Sequence, residues 1–199
     1  MVRRTRADME QTRATLLETA RQVFSERGYG ETSMDDLTAQ ANLTRGALYH
    51  HFGDKKGLLE AVIAEIDAEM NERICAVSAR APNRWQGFVD ESVTYIEMAL
   101  EPEIQRIVLR DGPAVLGDPG RWPNANACVS SMLKSLTLLK EEGVVGDVDP
   151  EAAARMVSGA SLYAAQWIAN AEDPEATTKK AVKAFKTLLN GLLANKSNA

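Results

Sequence analysis

Residues 33–59 read SMDDLTAQANLTRGALYHHFGDKKGLL, a stretch that predicts two short helices in close succession. Ser33 is a typical helix N-cap, and the helix that it opens is predicted to reach Ala41. Thr44 is the next candidate N-cap, for a second helix that ends near Phe52. Helices of about eight residues are marginal on their own, so both must pack on another part of the chain.

The preceding segment can supply that support. Residues 8–27 carry apolar side chains at the spacing of one helix face, and Gly28 is suited to the left-handed residue after a helix end. The apolar positions are Leu16, Leu17, Ala20, Val23 and Phe24. Leu37, Leu48 and Phe52 can pack against this face. Three helices around one small core predict a helix-turn-helix arrangement.

The second short helix keeps an outward face that does not need burial. It carries Arg45, Gly46, Ala47, Tyr49, His50 and His51. The major groove of DNA admits such a helix with its N-terminal residues at the base edges, where Arg45 can bind O6 and N7 of a guanine together. A metal site at the two histidines is disfavoured, because neighbouring helical residues point about 100° apart. The chain has no further histidine.

The pattern Gly-x-Leu-Tyr-x-His-Phe-x-x-Lys at residues 46–55 is specific, and about residues 10–60 resemble the tetracycline-repressor (TetR/AcrR) family of bacterial transcription regulators. One departure is Asn42, where the family often has Gly, but Asn tolerates the left-handed conformation. The resemblance implies that Arg45, Gly46 and Ala47 face bases. It implies that phosphates are held by Ser33, Thr44, Tyr49, His50, His51 and Lys55.

Phosphate contacts at the N-terminus of a helix are physically favourable, because free N–H groups and the helix dipole favour an anion there. This applies to Ser33, Thr44 and Lys55. Capping alone is the alternative role for Ser33 and Thr44, and an ordinary half-buried aromatic is the alternative for Tyr49.

The net charge of −5 argues against a chain that binds nucleic acid along its whole surface. Residues 1–60, however, carry nine Lys and Arg against nine Asp and Glu, so all of the excess negative charge lies in residues 61–199. This distribution is compatible with a local DNA contact. Arg3, Arg4 and Arg6 are either an arm that follows phosphates or a solvated tail.

Helical patterns separated by Pro and Gly breaks continue to the end of the chain, and strand patterns are nearly absent. The predicted helices cover residues 55–80, 84–100, 103–110, 124–142, 150–170 and 174–194. We therefore expect an all-α protein with a helix-turn-helix DNA-binding domain at residues 1–56. A larger helical ligand-binding and dimerisation domain would cover residues 57–199.

A homodimer is expected, because two recognition helices related by a twofold axis fit a palindromic site. Near the C-terminus, apolar residues recur with spacings of three and four, as in a helix-packing seam. They are Val182, Phe185, Leu189 and Leu192. A face rich in small residues, which includes Met156 and Ala160, is expected to complete the interface. The alternative is that both faces pack within the subunit.

The same C-terminal region carries large apolar groups with few polar ones, which is typical of a small-molecule pocket. The candidate effector residues are Trp85, Phe88, Tyr95, Met98, Arg110, Trp122, Met132, Tyr163 and Trp167. The alternative role for each apolar member is burial in the hydrophobic core without any contact to a ligand. An ion pair with Asp111 that holds the helix end is the alternative for Arg110.

These features predict a ligand-responsive transcriptional regulator, most simply a repressor that binds a palindromic double-stranded DNA operator and is released by a small apolar or amphipathic effector. A constitutive DNA-binding protein is one alternative, and a thiol redox sensor using Cys75 or Cys128 is another. An enzyme is disfavoured, since no catalytic or metal-binding arrangement can be assembled from the sequence, and we expect no cofactor. No apolar run is long enough to cross a membrane, so we expect a cytoplasmic protein.

Overall fold

Helices form almost all of the regular structure in the computed structural model, which describes residues 5–194 and their side chains apart from those of residues 123–126. Within this range the α-helices are α1 (Arg6–Arg27), α2 (Met34–Gln40), α3 (Arg45–Phe52), α4 (Lys55–Ser78), α5 (Arg84–Glu97), α6 (Gly112–Leu116), α7 (Pro123–Glu141), α8 (Pro150–Ala169) and α9 (Pro174–Asn190). The predicted all-α class is confirmed. Arg3 and Arg4 of the predicted arm lie outside the described residues.

The turns around α1, α2 and α3 follow from local backbone chemistry. α1 begins at a capping box, in which the Thr5 hydroxyl accepts the N–H of Asp8 at 3.2 Å. It ends at Gly28, whose φ of 82° suits a residue without a Cβ atom. Asn42 has a φ of 53°, so the asparagine between α2 and α3 adopts the left-handed conformation that the sequence predicts for it.

The first three helices share a core with the start of α4. Its buried members are Leu16, Leu17, Val23, Phe24, Leu37, Leu48, Leu58 and Leu59. Leu37 and Leu48 pack in this cluster with the apolar face of α1, as predicted, and Phe52 is partly buried against it. The packing presents one side of α3 to solvent.

α4 continues from this small core into the rest of the molecule. Asp54 caps it by accepting the N–H of Gly57 at 2.7 Å. The predicted domain boundary between residues 56 and 57 lies in the first turn of α4, and buried residues on both sides of it belong to one contiguous cluster.

The chain after α5 departs from the predicted helices. A 3₁₀ turn (Met98–Leu100) follows α5, and Ile104–Asp111 is π-helical rather than α-helical. Residues 111–123 lie between two predicted helices, and the expectation that the break there begins at Gly112 and Pro113 is wrong, because these residues open α6. Proline at the first turn of a helix loses no hydrogen bond, so it starts this helix instead of stopping it.

α7, α8 and α9 complete the body. The inner face of α8 consists mostly of small residues, which lets α7 and α9 approach it closely. After α7 and α9, an isolated antiparallel bridge joins Val145 and Leu193. Across the residues that the structure describes, we find no helix whose length and apolar content would let it span a bilayer.

Candidate DNA-binding face, effector region and dimer surface

α3 presents most of the predicted DNA-reading residues to solvent. Arg45, Gly46, Tyr49 and His50 are exposed, and Tyr49 keeps 52% of its surface accessible. Ala47 is buried at 7% exposure, so the prediction that it faces bases is wrong. It lies on the same inner side of α3 as Leu48, which anchors the helix in the core.

Arg45 is paired within the chain. Its Nε and Nη2 atoms donate to the two carboxylate oxygens of Asp35 on α2, in a forked arrangement. The hydrogen bonds that Arg45 donates to Asp35 raise the pKa of Arg45. Both side chains remain more than half exposed. The sequence reasoning missed Asp35, although it stands ten residues before Arg45, in the first turn of the preceding helix.

The predicted phosphate contacts at Ser33 and Thr44 are helix caps in the structure. The Ser33 hydroxyl accepts the N–H of Asp36 at 3.0 Å, and the Thr44 hydroxyl accepts the N–H of Ala47 at 3.2 Å. Hydrogen bonds from Ser33 lower the pKa of Asp36. Both hydroxyl-bearing residues are nevertheless exposed, so capping and phosphate contact are compatible.

Aromatic rings lie beside two cationic side chains of this unit, Arg13 against Phe52 and Lys55 against Tyr29. The Lys55 ammonium lies 4.1 Å from the centroid of the Tyr29 ring. Partial burial lowers the pKa of Lys55. The rings of His50 and His51 are 5.2 Å apart and nearly perpendicular. Tyr29 lies in the predicted DNA-binding domain, but its contact with Lys55 was not predicted from the sequence.

The predicted effector residues divide into an interior group and an outer group. Phe88 and Met98 are buried at 2% exposure. Partly buried members packed against the core are Trp85, Tyr95, Trp122 and Met132. Burial raises the pKa of Tyr95, and the charge of Asp67 adds to that rise.

Three members of the predicted effector set do not belong to an interior pocket. Tyr163 and Trp167 are 73% and 47% exposed. They point outward because α8 uses its small residues to pack inward. Arg110 is exposed, and its Nε donates to the carbonyl oxygen of Ala169 at 2.8 Å, so it holds the end of α8.

A cavity of about 310 Å³ opens where α4, α5 and α7 meet. Its lining residues are Ser78, Ala81, Asn83, Arg84, Gly87, Phe88, Glu91 and Ser135. Phe88 joins it to the interior group, since the rings of Trp85 and Phe88 are 6.0 Å apart.

The cysteines lie outside the DNA-binding face. Cys75 and Cys128 are both exposed residues. Although Cys128 is exposed as a whole residue, partial burial of its thiol raises the pKa, and nearby Glu91 and Asp67 add to this rise. A raised pKa lowers the thiolate fraction, which disfavours Cys128 as a redox sensor.

The predicted dimer seam on α9 is largely internal. Phe185 and Leu189 are 4% and 2% exposed, so the prediction that they meet a partner is wrong and the alternative of packing within the subunit holds for them. Val182 and Leu192 are partly buried against the same core. The two predicted interface residues on α8 are more accessible than those on α9, since Met156 is 72% exposed and Ala160 is partly exposed.

An exposed apolar surface lies on the outer side of α8 and α9. It consists of Met156, Tyr163 and Trp167 with Leu188, and we call it the α8–α9 surface. Its α8 members are seven and four residues apart, which places them along one helix face. Exposed apolar side chains of this size along one helix face indicate an interaction surface.

Two family models match the chain. Residues 16–62 match the bacterial regulatory proteins of the tetR family, and residues 85–192 match the tetracyclin repressor-like C-terminal domain. The chain belongs to the TetR family of transcriptional regulators. The resemblance predicted from the sequence is thereby confirmed, and membership agrees with a regulator rather than an enzyme.

Solved structures and curated relatives support this membership. A TetR-family transcriptional regulator from Pectobacterium atrosepticum is 59% identical, with a TM-score of 0.87 over 96% of this chain and 98% of that one. AibR, solved with isovaleryl coenzyme A and operator DNA, has the same fold at a TM-score of 0.60 and 22% identity, over 87% of this chain and 97% of that one.

The transcriptional repressor BepR of Brucella suis is 33% identical over 109 residues, which are 54% of this chain and 52% of that protein. The matched regions span between 30% and 52% of the first curated relatives.

Proposed function

We propose that this TetR-family chain is a repressor that binds a palindromic double-stranded DNA operator as a homodimer. The observation that carries the proposal is the solvent-facing side of α3, where Arg45, Gly46, Tyr49 and His50 stand on a short helix held by α1 and α2. A helix supported in this way can enter the major groove. Ser33, Thr44, His51 and Lys55 are proposed to contact phosphates beside it.

The proposed division of the chain follows from the same features. The DNA-binding unit ends in the first turn of α4, near residue 56, and the helical body from residue 57 onward supplies effector binding and dimerisation. In the dimer, the α8–α9 surface packs on its twofold-related copy, which would cover Met156, Tyr163 and Trp167. A twofold axis between the bodies places two α3 helices on one face of the DNA.

Selection from a pool of random duplexes tests operator binding. We expect enrichment of a twofold-symmetric sequence whose half-sites are one helical turn or a multiple apart, about 34–36 Å per turn. A pool that enriches no symmetric sequence, while the protein is folded and dimeric, would contradict the proposal.

We further propose that a small apolar or amphipathic molecule binds in the body and releases the operator. The support is the interior group of Trp85, Phe88, Tyr95 and Met98, and Trp122 and Met132 are partly buried against the same core. The cavity that reaches Phe88 is lined mostly by polar residues, which suits the polar end of an amphipathic molecule. Apolar walls with sparse polar groups are typical of effector pockets. Release requires that the effector prefer the dimer state in which the two α3 helices do not fit adjacent grooves.

A thermal-shift screen of apolar and amphipathic compounds, followed by operator titration with each hit, tests effector control. We expect a stabilising compound to weaken operator binding roughly 5- to 150-fold. If stabilising compounds leave operator affinity unchanged at saturation, the chain is a DNA-binding protein without a switch through those compounds.

A further inference from the structure

The end of α1 is bonded to the π-helical segment of the body. The backbone N–H of Tyr29 donates to Oδ2 of Asp111 at 2.7 Å, across 82 residues of sequence. Arg106 donates from Nη2 to the carbonyl oxygen of Arg27 at 2.9 Å. Nε of Arg106 lies 3.5 Å from the same Asp111 oxygen. We call these four residues and Gly28 the α1 joint.

Gly28 makes room for this arrangement. A Cβ atom at residue 28 would lie 2.0 Å from Nη2 of Arg106, well inside contact distance. The guanidinium therefore occupies the space that a side chain would fill. Residue 28 also has its φ at 82°, where L side chains are strained.

The α1 joint also contacts the core of the DNA-binding unit, through the ring of Tyr29. The Tyr29 ring lies 5.7 Å from the Phe24 ring in the core of α1. The ammonium of Lys55, at the first residue of α4, stands over the same Tyr29 ring at 4.1 Å. Asp111 thus holds the backbone of a residue whose ring contacts both α1 and the start of α4.

The π-helical segment also packs on the body. Its Ile104, Ile107, Val108 and Leu109 are buried. Where it ends, at Gly112, a Cβ atom would lie 2.6 Å from the Trp122 ring and 3.0 Å from Ile63 of α4. π-Helical turns are rare and often occur at functional sites. The segment and the first residue of α6 together therefore contact the end of α1, α4 and a proposed effector residue.

We propose that Asp111, together with Arg106, is a positioning residue that fixes the orientation of the DNA-binding unit relative to the body. The proposal rests on the proposed repressor function. Without the α1 joint, each α3 samples more orientations, and the dimer must order both helices when it binds. Operator affinity and the preferred half-site spacing then depend on the π-helical segment.

The variants Asp111→Ala, Asp111→Asn and Asp149→Ala test this role. Asp111→Ala removes the acceptor for the Tyr29 N–H, whereas Asp111→Asn keeps an amide oxygen there. Asp149→Ala is the matched control, because Asp149 also accepts a backbone N–H, from Ala152 at 2.8 Å, but within the body. Amide hydrogen exchange at Tyr29 is measured by NMR, and binding to the selected operator by fluorescence anisotropy.

We expect Asp111→Ala to speed exchange of the Tyr29 amide roughly tenfold or more, because a hydrogen bond to a charged acceptor is lost. Its operator affinity should fall roughly five- to tenfold. It should also discriminate less than the wild type against an operator with two base pairs inserted between the half-sites. Asp111→Asn should restore most of the Tyr29 protection and the spacing preference, and Asp149→Ala should match the wild type.

If Asp111→Ala does not fold, Arg106→Ala provides the second test, since it removes the bond to Arg27 and leaves the Tyr29 bond in place. The same loss of affinity and spacing preference is expected. Unchanged Tyr29 exchange in folded Asp111→Ala, or faster exchange with unchanged affinity and spacing preference, would overturn the positioning role. A wild-type chain that binds no duplex would instead overturn the proposed function itself.

Discussion

Arg45 and Lys55 hold their charges in different surroundings, which suits them to different contacts with DNA. The Arg45 guanidinium is forked against Asp35 and remains mostly exposed at the start of α3. The Lys55 ammonium lies over an aromatic ring and is partly buried. A forked donor reads a guanine, whereas a point charge attracts any phosphate.

We therefore expect Arg45→Ala to weaken binding to the preferred operator roughly 5- to 150-fold and to relax base preference at one position of each half-site. Lys55→Ala should weaken binding to all duplexes alike and lower the salt slope by about one per half-site. Anisotropy titrations with single-base operator variants at several salt concentrations separate the two effects. The roles are wrong if Lys55→Ala alters base preference and Arg45→Ala does not.

Gly28 and Gly30 form a matched pair on the same turn. Gly28 has a φ of 82° and faces the Arg106 guanidinium, whereas a Cβ atom at Gly30 would meet nothing within 4 Å. Gly28→Ala should destabilise the fold by about 1–3 kcal/mol, the usual cost of such backbone strain. Gly30→Ala should change the free energy of unfolding little. Urea denaturation of both variants makes the comparison, and equal stabilities would contradict it.

At the scale of elements, an ionic cluster holds α1 against α4 and the start of the π-helical region. Arg21 donates to Glu69 at 2.6 and 2.7 Å and to Glu103 at 2.7 and 2.9 Å. The hydrogen bonds from Arg21 lower the pKa of Glu69 below its ordinary value of 4.5. The cluster and the α1 joint are two separate contacts between α1 and the segment that follows α5.

This lowered pKa sets the direction of a pH effect. The folded state binds the Glu69 proton more weakly than the unfolded state, so the contact stabilises the fold above about pH 4.5 and is lost as the pH falls through the folded pKa. NMR titration should show Glu69 ionising below 4.5 in the wild type and closer to 4.5 in Arg21→Gln.

The matched control for the Glu69 titration is Arg155→Gln. This substitution removes the ion pair of Arg155 with Glu151, 2.9 Å apart within one helix, and should leave the pKa of Glu69 unchanged. An unshifted Glu69 in Arg21→Gln would show that Arg21 does not cause the lowered pKa.

At the scale of the whole molecule, α8 and α9 each have two apolar sides with different roles. Phe185 and Leu189 face the subunit's own core, whereas Met156, Tyr163 and Leu188 face solvent with more than 60% of their surface exposed. Because only the inner faces of α8 and α9 are needed for folding, the α8–α9 surface is available for association with another subunit. The proposed dimerisation can therefore be disrupted separately from folding.

We expect Tyr163→Glu to give a folded monomer that binds the operator poorly, because a charge in the interface would be buried without a partner. Phe185→Glu should instead unfold the chain, since that side chain is 4% exposed. Sedimentation and circular dichroism distinguish the two outcomes. A Tyr163→Glu variant that stays dimeric would place the interface elsewhere.

Local signals determined the DNA-binding unit. The caps at Ser33, Thr44 and Asp54 and the left-handed Asn42 depend on residues a few positions apart. The burial of Leu37 and Leu48 follows from apolar spacing in short helices that are close in sequence to α1. Short-range chemistry of this kind is readable from a single chain, and so is the spacing of the α3 face. The spacing and the family resemblance also placed Ala47 on the outward face toward bases, whereas the structure buries it beside Leu48.

Only the tertiary structure decided which apolar side of each helix in the body faces inward. In α8 the small residues pack inward and the large Tyr163 and Trp167 face solvent, and in α9 the seam of Phe185 and Leu189 is internal. The spacing of apolar residues identifies an apolar helix face but does not show which other helix or subunit that face packs against. The partner of Asp111 is likewise a backbone N–H 82 residues away, and a main-chain donor leaves no mark in the sequence, so folding alone brings the two together.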